Sequence, residues 1–139
     1  MDIWSSEKRS IVMSHIKSKN TKPEMIVRSL LFKMGYRFRI HRNDLPGSPD
    51  IVLPKYSTVI LVHGCFWHLH KDCRDGTIPK TQYSKWKEKL ERNVQRDKIN
   101  IDKLNSLGWE VLILWECEIE KHIEDVKDKL RNTLEKNSY

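Results

Sequence analysis

The chain has 139 residues, enough for one domain with its own hydrophobic core. It is 38% hydrophobic and 32% charged and has no apolar run of 18 residues, so neither a disordered chain nor a membrane-spanning helix is expected. The formal net charge is +7, and three cysteines without a basic-then-apolar export signal predict a cytoplasmic protein whose thiols are reduced or bind metal.

The N-terminal third is basic and helical in pattern. Ser5 or Ser6 can cap a short helix that ends at Ile16, and a second helix follows in "NTKPEMIVRSLLFKMG" and stops at Gly35. Residues 1–42 carry 10 Lys/Arg against 3 Asp/Glu, and residues 71–103 carry 10 against 6. Such an excess fits a surface that follows nucleic-acid phosphates, and equally a solvated lysine-rich exterior.

Strand patterns occupy the middle of the chain. "YRFRIH" alternates as a half-buried strand does, "DIVLP" is a short strand ended by Pro54, and "STVILVH" reads as a central buried strand. A loop continues to about Pro79. A long helix from Gln82 to Leu107, the strand "WEVLILWE" and an amphipathic helix marked by Ile119 to Leu134 complete the chain. This order predicts a single α/β domain over residues 1–139, with a central mixed β-sheet flanked by helices on both faces.

Two acids and two histidines are candidates for catalytic or metal-binding roles. Asp50 opens one strand, and it is either a turn residue or a ligand for a hard cation such as Mg²⁺. Glu24 is explained by the dipole of its helix, with a metal-linked role as the alternative. His63 and His68 are either hydrogen-bonded structural side chains or proton acceptors for a nucleophilic water.

Soft metal ligands lie close together in "HGCFWHLHKDC" and in "WECE". Cys65, His70, Cys73 and Cys117 form a Cys3His set, which suits a closed tetrahedral zinc site that would staple the loop. Three buried, unligated cysteines are the alternative. A loop with as little apolar content as residues 71–80 favours the metal.

Large aromatic residues stand between these ligands. Phe66 and Trp67 follow the central strand, and Trp86 begins the long helix. Core packing is the usual role of such side chains. In a basic protein they could instead enter DNA as a wedge between base pairs.

Four blocks, with "NTKPE" before them, closely resemble the very-short-patch-repair (Vsr) DNA mismatch endonucleases. They occur in the family's order and are "LPGSPDIVLP", "VILVHGCFWHLH", "KWKEKLERNVQRD" and "LGWEVLILWECE". The resemblance implies a restriction-endonuclease-like fold, a catalytic Mg²⁺ and a structural Zn²⁺. It implies double-stranded DNA as partner, nicked 5′ of the thymine in T·G mismatches that arise from 5-methylcytosine deamination. A cognate cytosine-5 methyltransferase system and repair proteins are further expected partners, and the small size predicts a monomer.

The resemblance also assigns roles to single residues. It implies that Asp50 and the backbone carbonyl of Val62 bind Mg²⁺, although Val62 replaces the usual threonine, and that residues 1–20 contact DNA. His68 is the expected catalytic histidine, with His63 and Glu24 as further catalytic residues. The expected zinc ligands are Cys65, His70, Cys73 and Cys117, and the expected wedge consists of Phe66, Trp67 and Trp86. A zinc-stabilised DNA-binding module without catalysis and a related nuclease with another DNA target are the alternatives.

Overall fold

The computed structural model describes residues 21–40, 42–70 and 77–137. The predicted first helix, the segment of residues 1–20 that is expected to contact DNA, and the expected zinc ligand Cys73 lie outside these ranges.

Four helices and four strands make up the described part of the chain. The helices are α1 (Lys22–Lys33), α2 (Tyr83–Ser106), α3 (Glu116–Lys121) and α4 (Ile123–Lys136). The strands are β1 (Arg39–Ile40), β2 (Ile51–Leu53), β3 (Thr58–His63) and β4 (Glu110–Trp115), and a short 3-10 turn spans Pro54–Tyr56.

The strands form one mixed sheet in the order β1-β2-β3-β4. Its first two pairings are antiparallel, and β3 pairs with β4 in parallel, with Val62 opposite Leu114. A parallel pair requires a crossover, and α2 supplies it. Both parallel strands therefore end at the same edge of the sheet, at His63 and Trp115.

Each face of the sheet packs against helices. On one face Ile60 and Leu114 pack with the buried residues of α1, α3 and α4. On the other face Val52 and Val59 pack with Leu104 of α2. This confirms the predicted mixed sheet between helices, an arrangement compatible with a restriction-endonuclease-like fold. Successive β3 residues point to opposite faces, so His63 points to the α2 side, as Val59 does.

Two elements differ from the sequence prediction. Of residues 36–40 in the predicted strand "YRFRIH", the structure has Arg39–Ile40 as strand, and His41 lies outside the described ranges. The neighbouring β2 has three residues and is followed by Pro54, which cannot donate to a ladder. The predicted last helix is broken at His122 (φ −136°) into α3 and α4. The apolar spacing continues across the break, so periodicity alone predicts one helix.

No helix among the described residues is long and apolar enough to cross a membrane.

Candidate active site

A cavity of about 590 Å³ opens where β3 ends, between α1 and α2. Four of the residues predicted to carry chemistry line it, namely Glu24, Asp50, His63 and His68, together with Val62 and Trp67. Asp97 and Asn100 of α2 form the opposite wall. The fold thus brings together residues that lie up to 95 positions apart in the chain, from Thr21 to Glu116.

Asp50 immediately precedes β2 and is hydrogen-bonded to the neighbouring strand β3. The backbone N–H of Val62 donates to its Oδ2 at 2.7 Å. Burial raises the pKa of Asp50 from 3.8 to about 7, against the opposing effect of the Val62 N–H, and the Glu24 carboxyl adds to the rise. A carboxylate whose ionised form is disfavoured in this way is stabilised by a cation bound beside it.

Glu24 faces Asp50 from the first turn of α1. Its side chain is buried, with 3% of the residue exposed, and it lies within hydrogen-bonding reach of Asp50. Arg28, one turn further along α1, donates from Nη2 to Glu24 Oε2 at 2.9 Å. The helix dipole favours an acid at this position, but it does not require the acid to be buried beside a second carboxyl group.

His63 and His68 stack face to face, with ring centroids 3.8 Å apart and planes 5° from parallel. His63 is 6% exposed, and its Nδ1 has no hydrogen-bond partner within the described ranges. Burial, together with a smaller contribution from the neighbouring His68, lowers the pKa of His63 from 6.5 to about 4, and Asp97 opposes the change. His63 is therefore a neutral imidazole at physiological pH.

His68 is held by Asp97, a residue that the sequence reasoning did not select. Its Nδ1 lies 2.5 Å from Asp97 Oδ2, which leaves Nε2 as the second ring nitrogen. Asp97 stands seven residues from each of the buried residues Leu90 and Leu104, on the same face of α2. An aspartate at a helix position where the residues one heptad before and after it are buried leucines is the sequence signal that could have identified Asp97.

Three of the four expected zinc ligands converge beside this cavity. His70 Nδ1 lies 3.6 Å from Cys65 Sγ and 3.4 Å from Cys117 Sγ. A tetrahedral zinc ion with Zn–S near 2.3 Å and Zn–N near 2.0–2.1 Å holds sulfur and nitrogen about 3.5 Å apart. The donor set and its spacing therefore fit zinc, and Cys117 reaches it from the first turn of α3.

A tight turn separates the roles of His68 and His70. The N–H of His70 donates to the Cys65 carbonyl at 2.9 Å, and Leu69 between the two histidines has a positive φ of 47°. This conformation is uncommon for a branched residue, and it reverses the chain so that His68 meets α2 while His70 meets the thiols. Trp115, also missed at the sequence level, stacks on His70 at 4.0 Å and meets His63 edge-on at 5.1 Å.

The three expected wedge residues form one partly exposed cluster. Phe66 lies 5.0 Å from Trp67 and 5.4 Å from Trp86, ring centroid to centroid. The ammonium of Lys89 stands over both indoles, at 5.5 and 5.9 Å. Trp86 thus joins the aromatic group on the turn rather than the core, and Asn93 of the same helix donates to the Trp67 carbonyl at 3.3 Å.

A cavity that combines paired carboxyl groups with a carboxylate-held histidine, beside a basic helix, has the groups expected of an enzyme that hydrolyses phosphodiester bonds of DNA. The sequence profile of the DNA mismatch endonuclease Vsr matches residues 1–75. The chain belongs to the Vsr family of DNA mismatch endonucleases and is a DNA endonuclease.

Relatives in this family match along most of the chain. A type II nicking enzyme of Xanthomonas oryzae pv. oryzae is 47% identical over 134 residues, 96% of this chain and 97% of the relative. A type II nicking enzyme of Neisseria meningitidis serogroup A is 48% identical over 118 residues, 85% of this chain and 84% of the relative. The DNA mismatch endonuclease Vsr of Escherichia coli K12 is 40% identical over 134 residues, 96% of this chain and 85% of the relative.

Proposed function

We propose that this endonuclease, acting on DNA in the cytoplasm, uses Mg²⁺ to nick one strand of a duplex 5′ of the thymine in a T·G mismatch. The observation that carries the proposal is the meeting of Asp50 and Glu24 with the His68–Asp97 pair in one cavity. The mismatch preference rests on the family and on a relative named for mismatch cleavage.

Asp50 and the Val62 carbonyl would hold the Mg²⁺. The fit rests on a buried carboxyl pair that favours a bound cation, and on backbone direction. The N–H and the C=O of one strand residue point towards the same neighbouring strand. The Val62 N–H points to Asp50, so the Val62 carbonyl lies on the Asp50 side as well. The valine side chain supplies no ligand, so the role of Val62 needs only its carbonyl. When bound, the ion supplies Lewis-acid activation of the phosphodiester and stabilises the charge that develops on it.

His68 is the proposed general base. Asp97 accepts from Nδ1 and fixes the tautomer, so the lone pair on Nε2 can take a proton from the attacking water. His63, neutral because burial lowers its pKa to about 4, stacks on His68 and fixes the plane of its ring. Glu24 faces Asp50 and adds negative charge to the cation site.

Zinc at Cys65, His70 and Cys117, with Cys73 as fourth ligand, is proposed as the staple of the turn. Phe66 and Trp67 lie on that turn, and with Trp86 they are the proposed wedge. Unstacking a mismatched pair costs less than unstacking a matched one, so a wedge gains selectivity from the substrate itself.

The test is cleavage of a labelled duplex with one central T·G pair and randomised flanking bases, under single turnover with Mg²⁺. We expect a nick 5′ of the mismatched thymine, and none in the matched T·A duplex or in EDTA. Equal cleavage of both duplexes would identify a nuclease with another target. Binding of the T·G duplex without cleavage would indicate a module that only binds DNA.

Replacing Asp97 with asparagine is expected to slow nicking by about 10²–10³-fold, since His68 loses the partner that fixes its tautomer. Affinity for the T·G duplex should stay within about threefold, because Asp97 holds His68 rather than DNA. Single-turnover rates and a binding titration separate the two quantities. Asp102→Asn, on the exposed face of the same helix, is the control and should leave both unchanged. A parallel loss of binding in Asp97→Asn would assign Asp97 to the DNA interface instead.

A further inference from the structure

The loop that leads into Asp50 passes very close to α2 at Gly47. A Cβ atom added to Gly47 would lie 2.9 Å from Asn100 Nδ2 and 3.0 Å from both Cβ and Cγ of Asn100. Asn100 Cβ is fixed to the helix backbone, so a methyl group on Gly47 would push the loop and the helix apart. Neither residue is among the proposed catalytic or metal-binding groups.

Gly47 also gives the loop its turn. Its φ is +73°, a left-handed value that favours glycine, and Ser48 follows with a φ of 45°. The N–H of Ser48 donates to the Leu45 carbonyl at 3.1 Å, and Leu45 packs against the buried cluster that contains Leu104 of α2. The start of the loop is thus anchored beside the helix, and Asp50 follows Gly47 by three residues.

Asn100 links this contact to the proposed base. It stands three residues after Asp97 on the side of α2 that lines the cavity, where residues at this spacing are neighbours. Asp97 in turn lies 2.5 Å from Nδ1 of His68. The contact with Gly47 therefore lies between the two halves of the site, with His68 held by the helix and Asp50 carried by the loop.

We infer that Gly47 and Asn100 form a spacer that sets the distance between Asp50 and His68, so that the cation site and the base act on one phosphodiester. The inference rests on the proposed function. Both are positioning residues, since they act through Asp50 and His68. A misplacement of reacting groups by about 1 Å costs on the order of 10²-fold in rate, so the spacing bears directly on nicking.

The experiment is single-turnover nicking of the T·G duplex at saturating Mg²⁺, with a binding titration and thermal melts of each variant. Gly47→Ala widens the spacing, and Asn100→Gly narrows it by removing all three close atoms. Each is expected to nick about tenfold or more slower, with affinity for the duplex within about threefold of the wild type. The double variant moves a carbon atom from the helix to the loop and should nick faster than either single variant. Destabilisation alone predicts the reverse, because two independent costs add.

Two variants carry the same backbone costs away from the contact. Gly35→Ala places alanine at a φ of +88° with nothing within 4 Å of the new Cβ, and Asp102→Gly places glycine on the exposed face of α2. Both should melt at a lower temperature than the wild type and still nick within about threefold of its rate.

Asn100→Leu keeps the approximate shape of the side chain without its amide, and it should also nick within about threefold of the wild type. It keeps the inference testable if Gly47→Ala fails to fold, since Asn100→Gly must then be about tenfold slower than Asn100→Leu. Equal rates of these two variants, or a double variant slower than both single ones, would overturn the inference. A loss of duplex affinity that parallels the loss of rate would also overturn it, by assigning the contact to the DNA interface. Wild-type protein that does not nick the T·G duplex with Mg²⁺ would overturn the proposed function, and the inference with it.

Discussion

Asp50→Asn is expected to abolish nicking and, in metal-free buffer at pH 8, to make the folded protein more stable. The rate should fall by about 10³-fold or more, because the transition state loses several kcal/mol of stabilisation at about 1.4 kcal/mol per factor of ten. The asparagine Oδ1 can still accept from the Val62 N–H, so the strand contact is kept.

The stability gain has a defined pH window. Burial raises the folded-state pKa of Asp50 from 3.8 to about 7, so the carboxyl group adds stability below pH 3.8 and loses that contribution as the pH rises towards 7. Above pH 7 the wild type carries a buried carboxylate that costs on the order of a few kcal/mol at about 1.4 kcal/mol per pKa unit. The variant should therefore melt about 5 °C or more higher at pH 8 and at nearly the same temperature at pH 4.

Differential scanning calorimetry in EDTA across this pH range is the measurement. Addition of Mg²⁺ at pH 8 should raise the melting temperature of the wild type and leave that of Asp50→Asn unchanged. Asp102→Asn, at an exposed position, should follow the wild type at every pH. A variant that is less stable than the wild type at pH 8 would show that the carboxylate stabilises the fold without a metal.

Loss of zinc is the second large effect we expect, and it follows from Cys117→Ser or His70→Gln. Wild-type protein should carry one zinc per chain, and either variant should retain less than half of it. The melting temperature should fall by about 10 °C, because a structural zinc site contributes directly to folding free energy. Metal content by mass spectrometry and thermal melts are the measurements.

Two histidine variants serve as matched controls for the zinc prediction. His68→Gln should keep its zinc, since His68 contacts Asp97 and lies apart from the thiols. His122→Gln, at the exposed junction of α3 and α4, should behave as the wild type. If His68→Gln loses zinc and His70→Gln keeps it, the two histidines have exchanged roles. Zinc-free wild-type protein would favour three unligated thiols.

The sequence was sufficient for the parts of the fold that local pattern determines. The apolar run of β3 and the stop at Gly108 after α2 are signals that neighbouring residues carry by themselves. The length of β1 was not predictable, because it depends on how few residues β2 offers as partners. The break at His122 was hidden, since Ile119 and Ile123 keep their helical spacing across it.

The candidate site likewise has residues that could be predicted from local sequence and residues that could not. Asp50, His63 and His68 could be selected from strand ends and residue chemistry, and the structure brings them together in one cavity. The partners that orient them come from other elements. Asp97 reaches His68 across 29 positions of sequence, and Trp115 meets His63 only because β3 and β4 are parallel neighbours. Contacts of this kind depend on how the strands and helices assemble and cannot be predicted from the spacing of residues along the chain.

The turn from Gly64 to His70 holds the proposed base His68, the Phe66–Trp67 pair and the proposed zinc ligands Cys65 and His70 within seven consecutive residues, and three backbone hydrogen bonds close it. A change in any part of it, such as replacement of the buried Cys65, is expected to disturb all of these roles at once. We therefore expect a lesion in the turn to lower cleavage and mismatch discrimination together, because the proposed base and the proposed wedge share the same seven residues.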